Sequence, residues 1–267
     1  MKYYQNYSLK NHNSFRLESI AKEIWFPKST KDLRNILVDL KDKQFFILSG
    51  GTNVLLKPVI NRLICLTEMP TYITSLHTNK TSVSANYSTS VFVNIVLNGF
   101  EGLYGIPGKI GGAIVMNAGS GKYAISDHIV SVTTMDLEGH IYTYTKEDMK
   151  FERRSSILQG KKEIVLEAVF DTSIDTVDEV ELEKAKQHRK TIPTSPSAGG
   201  CFKNWHSLKP YEKELIGLRV GDAEVSEKVN IIVNKGNATY DNVMDLIALI
   251  QSQIEEFLQL EIKIIGD

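Results

Sequence analysis

Eight of the eighteen glycines in this 267-residue chain fall between Gly99 and Gly121, and five of them (99, 102, 105, 108 and 111) recur at every third position. A triple helix needs such a repeat to be sustained and rich in proline, whereas this one stops after five triplets with Pro107 alone. The tract therefore predicts a loop, in which glycine supplies positive φ or lets backbone approach a ligand with no Cβ in the way. An ordinary tight turn accounts for one or two glycines, not for Gly105-Ile106-Pro107-Gly108-Lys109-Ile110-Gly111-Gly112-Ala113 running on to Asn117-Ala118-Gly119. So long a stretch of small residues exposes many N–H groups, which together can nest a phosphate.

A second glycine turn, Ser49-Gly50-Gly51-Thr52-Asn53, lies between the apolar runs 45–48 and Val54-Leu55-Leu56 and reads as strand, turn, strand. A dinucleotide fingerprint or a Walker loop would instead open a helix, so neither motif is supported. The two loops together point to a nucleotide cofactor held by main chain.

Lys plus Arg number 31 against 32 Asp plus Glu, a formal charge of −1, so no whole-protein field draws the chain to nucleic acid or to an anionic membrane. The N-terminus lacks the apolar segment of a secretory signal, and no apolar run nears the ~18 residues of a membrane span, so a cytoplasmic protein is expected. Cys65 and Cys201 are far apart and the six histidines are scattered, which predicts neither a disulfide framework nor a metal site.

Ser29-Thr30-Lys31-Asp32 is a capping-box pattern opening a helix that buries Leu33, Ile36, Leu37 and Leu40. Residues 63–170 read mostly as β, with strands at 63–67, 129–136, 141–145 and 164–170, a hairpin turn at Leu137-Glu138-Gly139-His140 and one helix near 91–97. The charged run 177–190 reads as a solvated helix or linker, and the two prolines of 191–197 predict an extended segment, with a domain boundary near 171. A last helix starts from Thr239 as N-cap and carries Val243, Leu246, Ile247, Ile250, Ile254 and Phe257 on one stripe. The expected class is α+β.

Six segments, 47–56, 99–119, 151–156, 195–204, 225–237 and 258–266, resemble in order and spacing the UDP-N-acetylenolpyruvoylglucosamine reductases, the MurB family. The Gly-Ile-Pro-Gly stretch ending in Asn-Ala-Gly is the most specific piece; the Gly-Gly-Thr-Asn turn is shared with many flavin-binding proteins. The resemblance implies a two-subdomain FAD-binding fold of the vanillyl-alcohol-oxidase/PCMH type (residues 1–170, subdomains about 1–56 and 57–170) and a smaller α+β substrate-binding domain (171–267). It implies a monomer that uses FAD, with NADPH as hydride donor, to reduce an enolpyruvyl ether on a UDP-sugar during peptidoglycan precursor synthesis. Cofactor contacts are expected at Ser49, Gly50, Gly51, Thr52, Asn53, Val54, Gly105, Ile106, Pro107, Gly108, Gly111, Gly112, Asn117, Ala118 and Gly119, and substrate contacts at Lys203 and Asn204.

Hydride arriving at the methylene carbon leaves enolate-like charge on the neighbouring carboxylate, so the site needs a cation or acid there and a proton donor at the adjacent carbon. The resemblance puts Arg154, in Phe151-Glu152-Arg153-Arg154-Ser155-Ser156, in the place of a catalytic arginine, and Glu261, in the tail 258–266, in that of a catalytic glutamate with a raised pKa. Without the resemblance, Arg153-Arg154 reads as a solvated basic pair and Glu261 as the outward residue of a strand. In Pro196-Ser197-Ala198-Gly199-Gly200-Cys201-Phe202-Lys203-Asn204 the position of the family's proton-donating serine falls on Gly200, which leaves the adjacent Cys201 as donor or as a small buried hydrophobe. Arg153 stands where the family has tyrosine, Ser84-Ala85-Asn86 where it has Gly-Ala-Gly, the histidine expected after Val225-Ser226-Glu227-Lys228 is missing, and residues 210–222 are short. These departures support a second reading, a MurB-like flavin-binding protein that has lost reductase activity and acts as a binding module.

Overall fold

A computed structural model describes every residue, Met1–Asp267. The chain runs β1 (Lys2–Ser8), β2 (Ile20–Phe26), α1 (Thr30–Asp39), β3 (Phe46–Leu48), β4 (Val54–Leu56), β5 (Val59–Cys65), β6 (Ile73–Leu76), β7 (Lys80–Ser84), α2 (Thr89–Val96) and α3 (Ile110–Val115). It continues with β8 (Gly119–Ser120), β9 (Tyr123–Ala124), β10 (Ile129–Asp136), β11 (Ile141–Thr145), β12 (Glu163–Asp171), α4 (Glu179–Lys190), β13 (Ser197–Gly200), α5 (Glu212–Leu215), β14 (Arg219–Val220), β15 (Ala223–Val225), β16 (Ile231–Asn234), α6 (Tyr240–Ser252) and β17 (Lys263–Ile265). The class is α+β, as expected. No helix is long and apolar enough to cross a membrane.

Two compact units are present, one made of Met1–Lys2, Trp25–Gly50 and Ile64–Arg189, the other of Tyr3–Ile24, Gly51–Leu63 and Lys190–Asp267. The first is built on a five-stranded sheet ordered β11-β10-β12-β7-β6, whose two faces feed different cores. Helix α1 starts where Ser29 accepts from the Asp32 N–H and buries Leu33, Ile36 and Leu37, which pack with Met135 of β10 and Ile164 of β12. The opposite face receives α2 and α3 together with Val132, Val165, Ala168 and Phe170. Shifts in the β10–β12 register between Ile129 and Ser131, and between Thr133 and Thr134, explain a break in alternation. Ile129 and Val132, three positions apart, enter the same core because a residue is inserted between them. Phe92, Phe100 and Phe170 close this core, with Phe92–Phe170 centroids 4.8 Å apart and Phe92–Phe100 edge-on at 5.6 Å.

The second unit packs α6 on the sheet β13-β16-β15-β14, with β17 paired in parallel to β4. Thr239 caps α6 by accepting from Asn242, and the Asn242 side chain returns the bond to the Thr239 N–H. Val243, Leu246, Ile247 and Ile250 form the buried stripe.

Several expectations are corrected. Helix α6 ends at Ser252, so Phe257 leaves the stripe and is 76% exposed, while Ile254 stays buried just past the helix end. The strand expected at 63–67 runs from Val59 to Cys65 and then turns. The charged run forms α4, the helical one of its two readings, whereas the segment after it is bent rather than extended until β13 begins at Ser197. The glycine tract is not loop throughout: α3 forms within it because Gly111 lets the helix lie against β7 and β12, where a Cβ on Gly111 would stand 3.0 Å from that of Ala85.

Candidate functional site

In the first unit the two glycine loops meet. A Cβ on Gly50 would lie 3.2 Å from the Gly108 Cα and 3.2 Å from the Lys109 Cγ, so a side chain at position 50 would press on the backbone of the second loop. Gly105 (φ +68°) and Gly108 (φ +106°) carry the loop through conformations that side chains avoid. Around Gly112 nothing lies within 4 Å of the Cβ position, and next to the loop the buried Thr89 hydroxyl has no hydrogen-bond partner. Close backbone approach, open space and an unsatisfied polar atom fit a group held by main chain, as expected for a dinucleotide.

Arg154 sits on a tight turn in which Glu152 and Ser155 exchange N–H···O bonds at 3.1 Å, with its own φ at +56°. Its guanidinium donates to the carbonyls of Gly119 (2.6 Å) and Asn117 (3.4 Å). Asn117 answers by donating its amide to the Glu152 carbonyl at 2.9 Å and accepting from Ser126 at 3.3 Å. The side chain of this expected cofactor residue is therefore spent on holding the arginine turn.

Arg189, the last residue of the first unit, was not legible as a site residue. Its Nε donates to the Tyr104 carbonyl at 2.8 Å and its stem lies against Gly105, where a Cβ would stand 3.0 Å from the Arg189 Cγ. Burial and then the like charge of Arg154 lower its pKa, so two guanidiniums share one neighbourhood of the glycine loop. The available signal was spacing: Leu182, Lys186 and Arg189 stand at i, i+4 and i+7 on one face of α4, and Leu182 is buried.

In the second unit Gly51 (φ +65°) runs against the His12 carbonyl, and a Cβ there would be 2.0 Å from that oxygen. Farther along the same turn, Asn53 donates its amide to the Glu261 carbonyl at 3.2 Å, and its own carbonyl accepts from the Lys263 N–H at 3.0 Å.

Strand β13 carries a bulge, since Ser197 pairs with Val233 and Gly200 with Ile231, and Gly199 takes it up at φ +75°. Beyond it Cys201 points into the apolar core, 2% exposed among residues such as Phe202, Leu208 and Leu258. Burial, and secondarily the charge of Glu261, push its thiol pKa up. Gly200 instead faces polar groups: a Cβ there would be 3.0 Å from the Asn230 Nδ2 and 3.9 Å from the Glu261 Oε2.

Asn230, also unmarked in the sequence reading, clamps Phe202 by accepting from its N–H at 2.8 Å and donating to its carbonyl at 3.0 Å. Glu261 itself is half-buried, and its N–H donates to the Cys201 carbonyl at 2.8 Å. Lys203 and Lys263 are near enough that the charge of Lys203 adds to burial in lowering the Lys263 pKa. The Asn204 amide donates to Glu256 and to the Phe257 carbonyl, each at 3.0 Å, and its Oδ1 accepts from Gln259 at 2.9 Å, so this expected substrate contact ties down residues 256–259.

Elsewhere, ligand atoms of Asp136, Glu138 and His140 lie within 4.8 Å of one another, but the Asp136 carboxylate is occupied by the N–H groups of its own hairpin turn.

Residues 192–265 match the model of the UDP-N-acetylenolpyruvoylglucosamine reductase C-terminal domain. The whole chain is 36% identical to UDP-N-acetylenolpyruvoylglucosamine reductase of Caldanaerobacter subterraneus subsp. tengcongensis, covering 94% of that protein. With the enzyme of the same name from Fusobacterium nucleatum it is 31% identical, over 99% of each chain. Among solved structures, UDP-N-acetylenolpyruvylglucosamine reductase from Thermus caldophilus superposes with a TM-score of 0.81 at 26% identity over 98% of both chains.

Proposed function

The chain belongs to the UDP-N-acetylenolpyruvoylglucosamine reductase family, and from that premise we propose that Arg154, Arg189 and Glu261 are the side chains on which its reaction depends. The enzyme is an oxidoreductase of peptidoglycan precursor synthesis that reduces UDP-N-acetylglucosamine enolpyruvate to UDP-N-acetylmuramate, with FAD as cofactor and NADPH as reductant. FAD, when bound, supplies the hydride taken from NADPH. Gly50, Gly51, Gly105 and Gly108, with the open side of Gly112, are the positions that would hold it. For the division of labour we propose cofactor binding in residues 1–170 and substrate binding in 171–267.

Two tasks then fall to the chain's own groups. The carboxylate beside the reacting carbons gathers charge as hydride arrives, and a guanidinium offers it two parallel donors. Arg154 takes this role, with Arg189 raising the local positive field. The α-carbon needs a proton. Gly200 has none to give and the Cys201 thiol is turned into the core, which makes Cys201 a packing residue in this reading. The carboxyl facing the Gly200 edge belongs to Glu261, which delivers its proton to the α-carbon and is reprotonated from solvent. Lys203 and Lys263 provide positive charge for the diphosphate of the UDP-sugar, while Asn204 orders the loop beside them. A monomer acting in the cytoplasm completes the proposal.

The Glu261 Oε2 lying 3.9 Å from where a Gly200 Cβ would stand is the observation that carries this assignment. Its test is the reoxidation of NADPH-reduced enzyme by the UDP-sugar: Glu261→Gln should slow it about 10²- to 10⁴-fold, the range of general acid catalysis. Reoxidation at the parent rate removes Glu261 from the mechanism.

A further inference from the structure

The hydrogen bond from the Asn53 amide to the Glu261 carbonyl joins residues 208 positions apart. Asn53 closes the glycine turn Ser49-Gly50-Gly51-Thr52-Asn53, and immediately after it Val54 pairs with Lys263 as β4 and β17 come together. Glu261 is thereby held from both sides of its own peptide, its N–H by the Cys201 carbonyl at 2.8 Å and its C=O by Asn53 at 3.2 Å. The backbone of Asn53 reinforces the junction by accepting from the Lys263 N–H at 3.0 Å. The length of the Asn53 side chain also matters, because a serine hydroxyl reaches less far and an alanine not at all.

We infer that Asn53 is a positioning residue that fixes the carboxyl of Glu261 and couples it to the glycine turn. This rests on the reading of Glu261 given above. The turn that receives the cofactor and the residue that protonates the substrate are then one mechanical element, and order imposed on the turn passes to Glu261 through the Asn53 amide beside the β4–β17 pairing. Displacing a catalytic group by about 1 Å is enough to cost on the order of 10²-fold in rate, so the bond bears on the step that uses Glu261 and not on reduction of the cofactor by NADPH.

The experiment compares the two half-reactions of purified FAD-loaded enzyme under anaerobic conditions, following flavin absorbance, in parent, Asn53→Ala, Asn53→Ser and Glu261→Gln. Asn53→Ala should slow reoxidation by the UDP-sugar about ten- to a hundred-fold while its reduction by NADPH slows far less, and Asn53→Ser should recover part of the loss. Hydrogen–deuterium exchange at the Glu261 amide, read independently of activity, should quicken in Asn53→Ala. If Asn53→Ala weakens FAD binding and slows both half-reactions equally, Asn53 is a cofactor ligand and the inference is overturned. It is also overturned if Glu261→Gln stops reoxidation while Asn53→Ala neither slows it nor quickens exchange. Should Glu261→Gln reoxidise normally, the reading of Glu261 fails and takes the inference with it.

Discussion

The N–H of Glu261 donates to the carbonyl of Cys201 at 2.8 Å, which ties two candidate catalytic residues together through main chain while their side chains occupy different surroundings. The thiol is packed among apolar residues and the carboxylate lies at the Gly200 edge. A one-residue offset beside a strand end is enough to separate them, since successive side chains of an extended segment face opposite ways.

Cys201→Ala should therefore leave reoxidation of the reduced enzyme by the UDP-sugar near the parent rate and cost stability of about 1 kcal/mol for the lost packing. Burial pushes the pKa of both cysteines up, so neither presents thiolate at neutral or mildly alkaline pH. A thiol-reactive chromophore should find almost no reactive cysteine in the native protein at pH 8 and both after denaturation. Loss of reoxidation in Cys201→Ala would return the donor role to the thiol.

Gly51 and Gly217 both have positive φ, +65° and +83°, but only at Gly51 does a Cβ meet backbone, 2.0 Å from the His12 oxygen. Gly217→Ala should cost about 1–2 kcal/mol for the left-handed conformation alone. Gly51→Ala should cost clearly more, because the His12 carbonyl must move. Denaturant midpoints of the two variants provide the comparison, and equal losses would show that the His12 contact yields without strain.

Arg189→Ala removes one of two guanidiniums near the glycine loop and its bond to the Tyr104 carbonyl. A charged hydrogen bond contributes about 1.5–3 kcal/mol, so kcat/KM for the UDP-sugar should fall by about ten-fold or more. Arg189→Lys, which keeps the charge but not the fork, should recover only part of it. Unchanged steady-state kinetics in Arg189→Ala would exclude the residue from the site.

His128 stacks on Phe100 with centroids 4.0 Å apart, and burial lowers its pKa below the ordinary 6.5. Because the unfolded chain takes up the proton first, stability is full above pH 6.5 and declines as pH falls from there through the lower folded value. His128→Phe, which keeps the stack but cannot titrate, should flatten that decline in thermal melts across mildly acid pH. An unaltered slope would mean that another group governs it.

What the sequence determined by itself was local. The cap at Ser29, the strands β10 and β11, the cap at Thr239 and the turn at Gly139 each depend on neighbours within a few positions, and each appears where it was read. The glycine tract was legible as a place of close backbone approach, because a side chain at Gly50 would crowd the Gly108 backbone.

Tertiary structure alone decided what the polar side chains do. Asn53, Asn117, Asn204 and Asn230 give their carboxamides to backbone 28 to 208 positions away, which no local pattern encodes. The same holds for Arg189 against Tyr104, for the helix inside the glycine tract and for the inward thiol of Cys201. A buried amide must find a partner wherever the packed chain supplies one, and that partner exists only once distant strands such as β4 and β17 have come together.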